Sequence, residues 1–240
     1  MTRNPVFCAL DTTDPEAALA LARKIHGLVG GLKLGLEFFA ANGPAGVRAV
    51  AGGGVPLFLD LKFHDIPNTV AGAIRGAVRL SPLMTTLHAG GGAEMMRAAV
   101  DAAGSEAQRL GVARPKILAV TVLTSMSGDD LSATGVGSSM VDQVRRLAAL
   151  AQEAGVDGVV CSAHEVEALR AECGPGFQLV IPGIRPAWAA ANDQKRVLTP
   201  SEAMAKGADW LVIGRPITAA ADPAEAAAHI ARELDGADPR

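Results

Sequence analysis

Short apolar or β-branched runs alternate along this chain with longer alanine-rich stretches whose apolar residues recur at helical spacing. The runs are VFCAL (6–10), GLKLG (31–35), PLFLDLK (56–62), LMTTLHA (83–89), KILAVTVL (116–123), GVDGVVCS (155–162), QLVIPG (178–183) and DWLVIG (209–214). Helical spacing falls at 15–28, 36–51, 66–80, 92–110, 138–154, 164–172, 200–206 and 222–234. Pro15, Pro200 and Pro223 stand where first helical turns begin, each preceded by a capping candidate: Asp14, Thr199 and Asp222. Eight strand–helix units with near-continuous apolar strands predict a parallel sheet covered by helices, and eight is the number that closes as a (β/α)8 TIM barrel. A doubly wound open sheet is the structural alternative. However, CALDTTDP follows the first strand where a glycine-rich dinucleotide fingerprint would stand. The stretches 124–137 and 184–199 lack clear periodicity, and both follow strands. No linker divides the chain, so residues 1–240 read as a single domain.

The third run breaks the apolar pattern. Alternation puts Phe58, Asp60 and Lys62 on one face and Leu57, Leu59 and Leu61 on the other. The leucines suit the helix layer, so Asp60 and Lys62 point inward near the C-terminal mouth, where barrels of this kind place their chemistry. Asp65 follows in the next turn, Asp11 closes the first strand, and Lys33 lies in the second between Gly31 and Gly35. Two lysines and three aspartates thus converge on one mouth. Carboxylates beside each lysine keep it an ammonium, which suits a general acid or a cation clamp rather than a Schiff-base nucleophile. After the eighth strand come Gly214 and Arg215, in the region where this fold commonly holds a phosphate. Backbone N–H groups near Gly214 and Gly183 and the Arg215 guanidinium are suitable donors. Pro182, Gly183 and Arg185 form the turn leaving strand seven, and Gln194 in NDQKR adds a neutral donor.

Composition narrows the classes. Of 240 residues, 49% are hydrophobic and 20% charged, enough for a large core. The net charge of -3 does not suit a nucleic-acid binder. No run of about 18 apolar residues suggests a membrane span, and the first residues lack the apolar run of a signal peptide. Three cysteines, Cys8, Cys161 and Cys173, fit a reducing cytoplasm. The histidines show no metal-binding spacing. His88 with the carboxylates could hold Mg²⁺ on composition, but Lys33 and Lys62 in the same mouth argue against it.

With these residues in view, Asp60-x-Lys62-x-x-Asp65-Ile66-x-x-Thr69 resembles the signature of the orotidine 5'-phosphate decarboxylase family. ALDTTD (9–14), GLKLGLEFF (31–39), LTSM (123–126), PGIRP (182–186), NDQKR (192–196) and GADWLVIGRPIT (207–218) are similar to its bacterial branch, in order and over nearly the whole chain. The resemblance implies a carboxy-lyase of pyrimidine biosynthesis that makes UMP with neither cofactor nor metal. It implies that Asp11, Lys33, Asp60, Lys62 and Asp65 form a charged network with Lys62 protonating C6. Thr124 would recognise the pyrimidine edge, and Pro182, Arg185, Gln194, Gly214 and Arg215 would enclose the substrate and its phosphate. Asp11, Lys33, Asp65 and Thr69 would take or orient the ribose hydroxyls. Asp65 and Thr69 would reach into a partner subunit, making a homodimer with shared sites. Loop 127–137 is given no role. The rival readings are metal-dependent barrel lyases of the 3-keto-L-gulonate 6-phosphate decarboxylase or hexulose-6-phosphate synthase type, expected to carry a carboxylate where Lys33 stands. Further rivals are a phosphosugar isomerase, lacking an evident general base, and a catalytically silent nucleotide-binding domain.

Overall fold

The structure is a computed structural model that describes residues 4–189 and 198–236. Eight parallel strands close on themselves in sequence order: β1 (Val6–Ala9), β2 (Gly31–Gly35), β3 (Leu57–Phe63), β4 (Met84–His88), β5 (Lys116–Val120), β6 (Gly158–Val160), β7 (Gln178–Pro182) and β8 (Trp210–Ile213). Closure comes from β1 pairing with β8, Phe7 opposite Val212. The helices that cover them are α1 (Pro15–Lys24), α2 (Leu36–Ala51), α3 (Pro67–Val78), α4 (Gly92–Leu110), α5 (Gly128–Ala133), α6 (Met140–Glu153), α7 (Val166–Cys173), α8 (Pro200–Ala205), α9 (Arg215–Thr218) and α10 (Pro223–Gly236). The expected (β/α)8 barrel is the observed fold, and the open doubly wound sheet is excluded by the β1–β8 pairing.

Two hydrophobic clusters divide the core as strand alternation demands. Leu57, Leu59 and Leu61 pack outward with Leu32, Leu34 and the helices. Phe58 packs inward with Phe7, Met84, Leu118, Val180 and Trp210. Burying one such leucine contributes roughly 1.5–3 kcal/mol. The barrel floor is aromatic: the Phe7 ring meets Phe58 edge-on at 5.9 Å and Trp210 at 5.4 Å. Gly31 makes room for it, since a Cβ there would lie 2.3 Å from Phe7 Cε1. The Trp210 indole N–H donates to Gln178 Oε1 at 2.9 Å, so the floor buries its polar edge with a partner.

The caps behave as the sequence suggests. Asp14 Oδ1 accepts from the Glu16 and Ala17 amides at 2.9 and 3.2 Å, and Asp222 Oδ1 accepts from those of Ala224 and Glu225 at 2.9 and 3.2 Å. Thr199 forms a reciprocal capping box with Glu202. Behind the third strand, α3 is clamped to α4 by the buried Glu106 of α4. Its carboxylate accepts from Arg109 at 2.7 and 2.8 Å and from Arg79 at 3.2 Å. These bonds, Arg109's first, hold the Glu106 carboxyl well below the usual carboxylate range.

Candidate active site

The third strand does not end as regular β structure. Leu59 pairs with Thr85 and Phe63 with Leu87, so β3 fits four steps where β4 takes two. The extra length is taken up in a bulge. Lys62 adopts φ +52°, a left-handed conformation that costs a non-glycine residue roughly 1–3 kcal/mol. Two hydroxyls of β4 replace the missing ladder bonds. Thr85 Oγ1 donates to the Leu59 carbonyl at 2.8 Å, and Thr86 Oγ1 accepts from the Lys62 amide at 2.9 Å. Thr86 Oγ1 in turn donates to Asp60 Oδ1 at 2.8 Å.

Asp60 is thereby held from one side while its other oxygen faces cations. Lys62 Nζ lies 2.6 Å from Asp60 Oδ2, and Lys33 Nζ lies 3.9 Å from the same atom. Lys33 also donates to Asp11 Oδ1 at 3.2 Å. The order along the mouth is therefore Asp11, Lys33, Asp60, Lys62, with charge alternating at each step. Lys33 and Asp60 are buried, Asp11 stands out at the rim, and the Lys62 side chain is 32% exposed. Buried charges of this kind persist through mutual pairing and hydrogen bonds. Gly35 is part of the arrangement: a Cβ there would press to 3.2 Å from Lys33 Nζ.

Asp65 departs from the expected convergence within one chain. It is exposed, accepts from the Ile66 amide at 2.6 Å, and forms no ion pair with Lys62 among the described residues. The physical reason is the direction of the chain. Past Phe63, the last residue of β3, His64, Asp65 and Ile66 run exposed until α3 begins at Pro67, and Thr69 on its first turn is exposed as well.

The charged row borders two adjoining cavities. One, of about 160 Å³, is lined by Phe58, Val120, Val122, Leu123, Thr124, Val160, Pro182 and Val212, with Lys33, Asp60 and Lys62 along one wall. The other, of about 200 Å³, is lined by Ala9, Asp11, Gly183, Ile184, Arg185, Gly214, Arg215 and Pro216. Lys33, Pro182 and Val212 belong to both. One chamber is thus apolar with an ammonium–carboxylate edge, and the other carries two guanidinium side chains. This split suits a flat, weakly polar ring joined to an anionic tail.

Most of the residues singled out in the sequence therefore meet at one mouth: Asp11, Lys33, Asp60, Lys62, Thr124, Pro182, Arg185, Gly214 and Arg215. Gln194 lies outside the described residues. The turn leaving β7 is anchored at both sides of the undescribed segment. The Arg185 amide donates to the Leu198 carbonyl at 3.1 Å, and the Trp188 ring stacks on His229 of α10 at 5.2 Å. Val122, Leu123 and Thr86 were not singled out from the sequence. Alternation from Met84 and His88 places Thr86 inward, which was the available signal.

His88 sits behind the charged row, its ring 5.5 Å from that of His64. Burial first, then the neighbouring His64 and Lys62, push its imidazole below the usual histidine range. An uncharged His88 adds no cation to a wall that already holds two. Among the described residues, no group of three or more histidine, cysteine, aspartate or glutamate side chains comes together as a metal cage.

This constellation has relatives. The family model described as "Orotidine 5'-phosphate decarboxylase / HUMPS family" matches residues 4–230. The chain belongs to that family. The orotidine 5'-phosphate decarboxylase of Paramagnetospirillum magneticum is 64% identical over 231 residues, covering 96% of this chain and 98% of the relative. That of Rhodospirillum rubrum is 62% identical over 239 residues, covering 99% and 97%. Among solved structures, the orotidine 5'-phosphate decarboxylase of Lactobacillus acidophilus superposes with a TM-score of 0.86 at 38% identity, over 97% of this chain and 99% of that one. The bacterial orotidine 5'-phosphate decarboxylase resemblance read from the sequence is borne out by these matches, as is the barrel fold. Among the described residues, no helix is long and apolar enough to cross a membrane.

Proposed function

We propose that this protein converts orotidine 5'-phosphate to UMP and CO₂, with residues 1–240 acting as one decarboxylase domain in the cytoplasm. The observation that carries the reading is the Lys62 ammonium, 2.6 Å from an oriented Asp60, on the wall of an apolar chamber that opens into an arginine-lined one. The pyrimidine fits the first chamber and the phosphate the second. Loss of the carboxyl group leaves an electron pair at C6 in the plane of the ring, where the ring delocalises it poorly. Lys62 stabilises that charge as it forms and then gives C6 its proton, becoming an amine that regains a proton from solvent. Asp60 holds Lys62 in place and sets a fixed negative charge near the departing carboxylate. Lys33 stands at the junction of the chambers and its partner Asp11 in the second, at the place of the ribose hydroxyls. Thr124 meets the pyrimidine edge, Pro182 and Gly214 line the walls, and Arg185, Arg215 and Gln194 enclose the phosphate. No step calls for a cofactor or metal, and Lys33 occupies the position where the metal-dependent barrel lyases are expected to carry a carboxylate.

Asp65 and Thr69 complete the site from a second copy of the chain in this reading, which makes the enzyme a homodimer. Their exposure supports it, as does that of Ile66, an isoleucine left 67% exposed beside Asp65.

The direct test is an ultraviolet assay of orotidine 5'-phosphate loss by the purified protein with excess chelator present. Undiminished turnover is expected. No turnover with or without metal would end the decarboxylase reading, and recovery only on adding Mg²⁺ would transfer it to the metal-dependent lyases. Arg215→Ala is expected to lower kcat/KM by roughly 10²-fold, because phosphate binding energy is used to reach the transition state. An unchanged kcat/KM in steady-state kinetics would remove Arg215 from the phosphate site.

A further inference from the structure

Thr86 is wholly buried, yet it contributes a hydroxyl to the one place where β3 leaves regular pairing. A hydroxyl has one proton to give and lone pairs to receive with. Here the proton goes to Asp60 Oδ1 at 2.8 Å, and a lone pair takes the Lys62 amide at 2.9 Å. The same oxygen atom therefore touches both members of the catalytic pair, one through its side chain and the other through its backbone. Each contact fixes a different freedom. The bond to Asp60 sets the rotation of the carboxylate, so that Oδ2 rather than Oδ1 faces Lys62 and Lys33. The bond from Lys62 holds the left-handed backbone turn at φ +52°, which decides where the lysine side chain starts.

We propose that Thr86 is a positioning residue for decarboxylation: its hydroxyl locks the β3 bulge and the Asp60 carboxylate together, and so aims the Lys62 ammonium. This rests on the reading of Lys62 as the proton donor. Thr86 lies outside both cavity linings and touches no substrate, so its effect passes through Asp60 and Lys62. Misplacement of a reacting group by about 1 Å costs on the order of 10²-fold in rate.

Thr86→Val keeps the shape and removes the hydroxyl, while Thr86→Ser keeps the hydroxyl. The valine variant is expected to lose roughly 10- to 100-fold in kcat with KM for orotidine 5'-phosphate changed less than about 3-fold, and the serine variant to recover most of the loss. Hydrogen exchange at the Lys62 amide gives a readout independent of turnover: slow in the parent and the serine variant, faster in the valine variant. Should Thr86→Val not fold, Thr86→Ala removes the same hydroxyl with less crowding. A kcat within about 2-fold of the parent, or equal losses in the valine and serine variants, would overturn the proposal. An inactive parent would instead sink the decarboxylase reading. Lys62 amide exchange would still decide whether Thr86 holds the bulge.

Discussion

Replacing Lys62 with alanine is expected to abolish decarboxylation, by about 10⁴-fold or more, while leaving UMP binding measurable by calorimetry. The size follows from two losses at one atom. A positioned general acid contributes roughly 10²–10⁴-fold, and fixed charge beside a developing anion roughly 10²–10³-fold. Binding should survive because Arg185 and Arg215 of the phosphate chamber follow β7 and β8, and no residue of β3 lines that chamber. The variant also loses the close 2.6 Å partner of Asp60, but Asp60 keeps Thr86 and the more distant Lys33, so the barrel should remain folded. Near-normal turnover by a purified, folded Lys62→Ala protein would defeat the assignment of the proton donor.

Asp65→Ala is expected to be almost as damaging, with turnover down by roughly 10²-fold or more, although the residue is exposed and distant from Lys62 in its own chain. In the proposed homodimer the loss arises because Asp65 serves the site of a second copy. The mixing experiment separates this from a local defect. Lys62→Ala and Asp65→Ala proteins, each inactive, should regain activity when their subunits exchange, since half of the mixed dimers' sites draw both intact residues. Statistical exchange restores about a quarter of the parent's sites. A mixture as inactive as its components, under conditions where subunits demonstrably exchange, would rule out shared sites.

How far the site could be read in the sequence varies from strand to strand. In β3 the alternation of leucines with Phe58, Asp60 and Lys62 was sufficient to place the charges inside, because a buried strand leaves its two faces no ambiguity. In β2 the glycines on either side of Lys33 both fill crowded positions: a Cβ at Gly31 would meet the Phe7 ring, and one at Gly35 the Lys33 ammonium. The bulge was not legible. Period-two reasoning assumes one residue opposite one, and nothing local marks the extra length between Leu59 and Phe63. For the same reason Thr86 looked like an ordinary strand residue. Its role depends on a neighbour twenty-odd positions away whose amide has lost its ladder partner. The fifth strand was read through residue 123 but stops at Val120. Beyond it the chain turns, which puts Val122, Leu123 and Thr124 on the cavity wall. Helix α5 also went unread within 124–137, since six residues are too few to show a period. Its capping box of Ser127 and Asp130 was the one local cue.

The pairing of Phe7 with Val212 also governs how the enzyme comes into being. On a ribosome the segments bearing Asp11, Lys33, Asp60 and Lys62 emerge long before β8. Until that last strand arrives, β1 presents an unsatisfied backbone edge to the cell. Two like-charged ammonium groups and their carboxylates are then still open to water, where their attraction is weak. Only when the cylinder shuts are Lys33 and Asp60 buried and the alternating charges held in fixed order. Newborn chains stalled short of β8 should therefore be inert and prone to stick to one another, whatever the integrity of their first half.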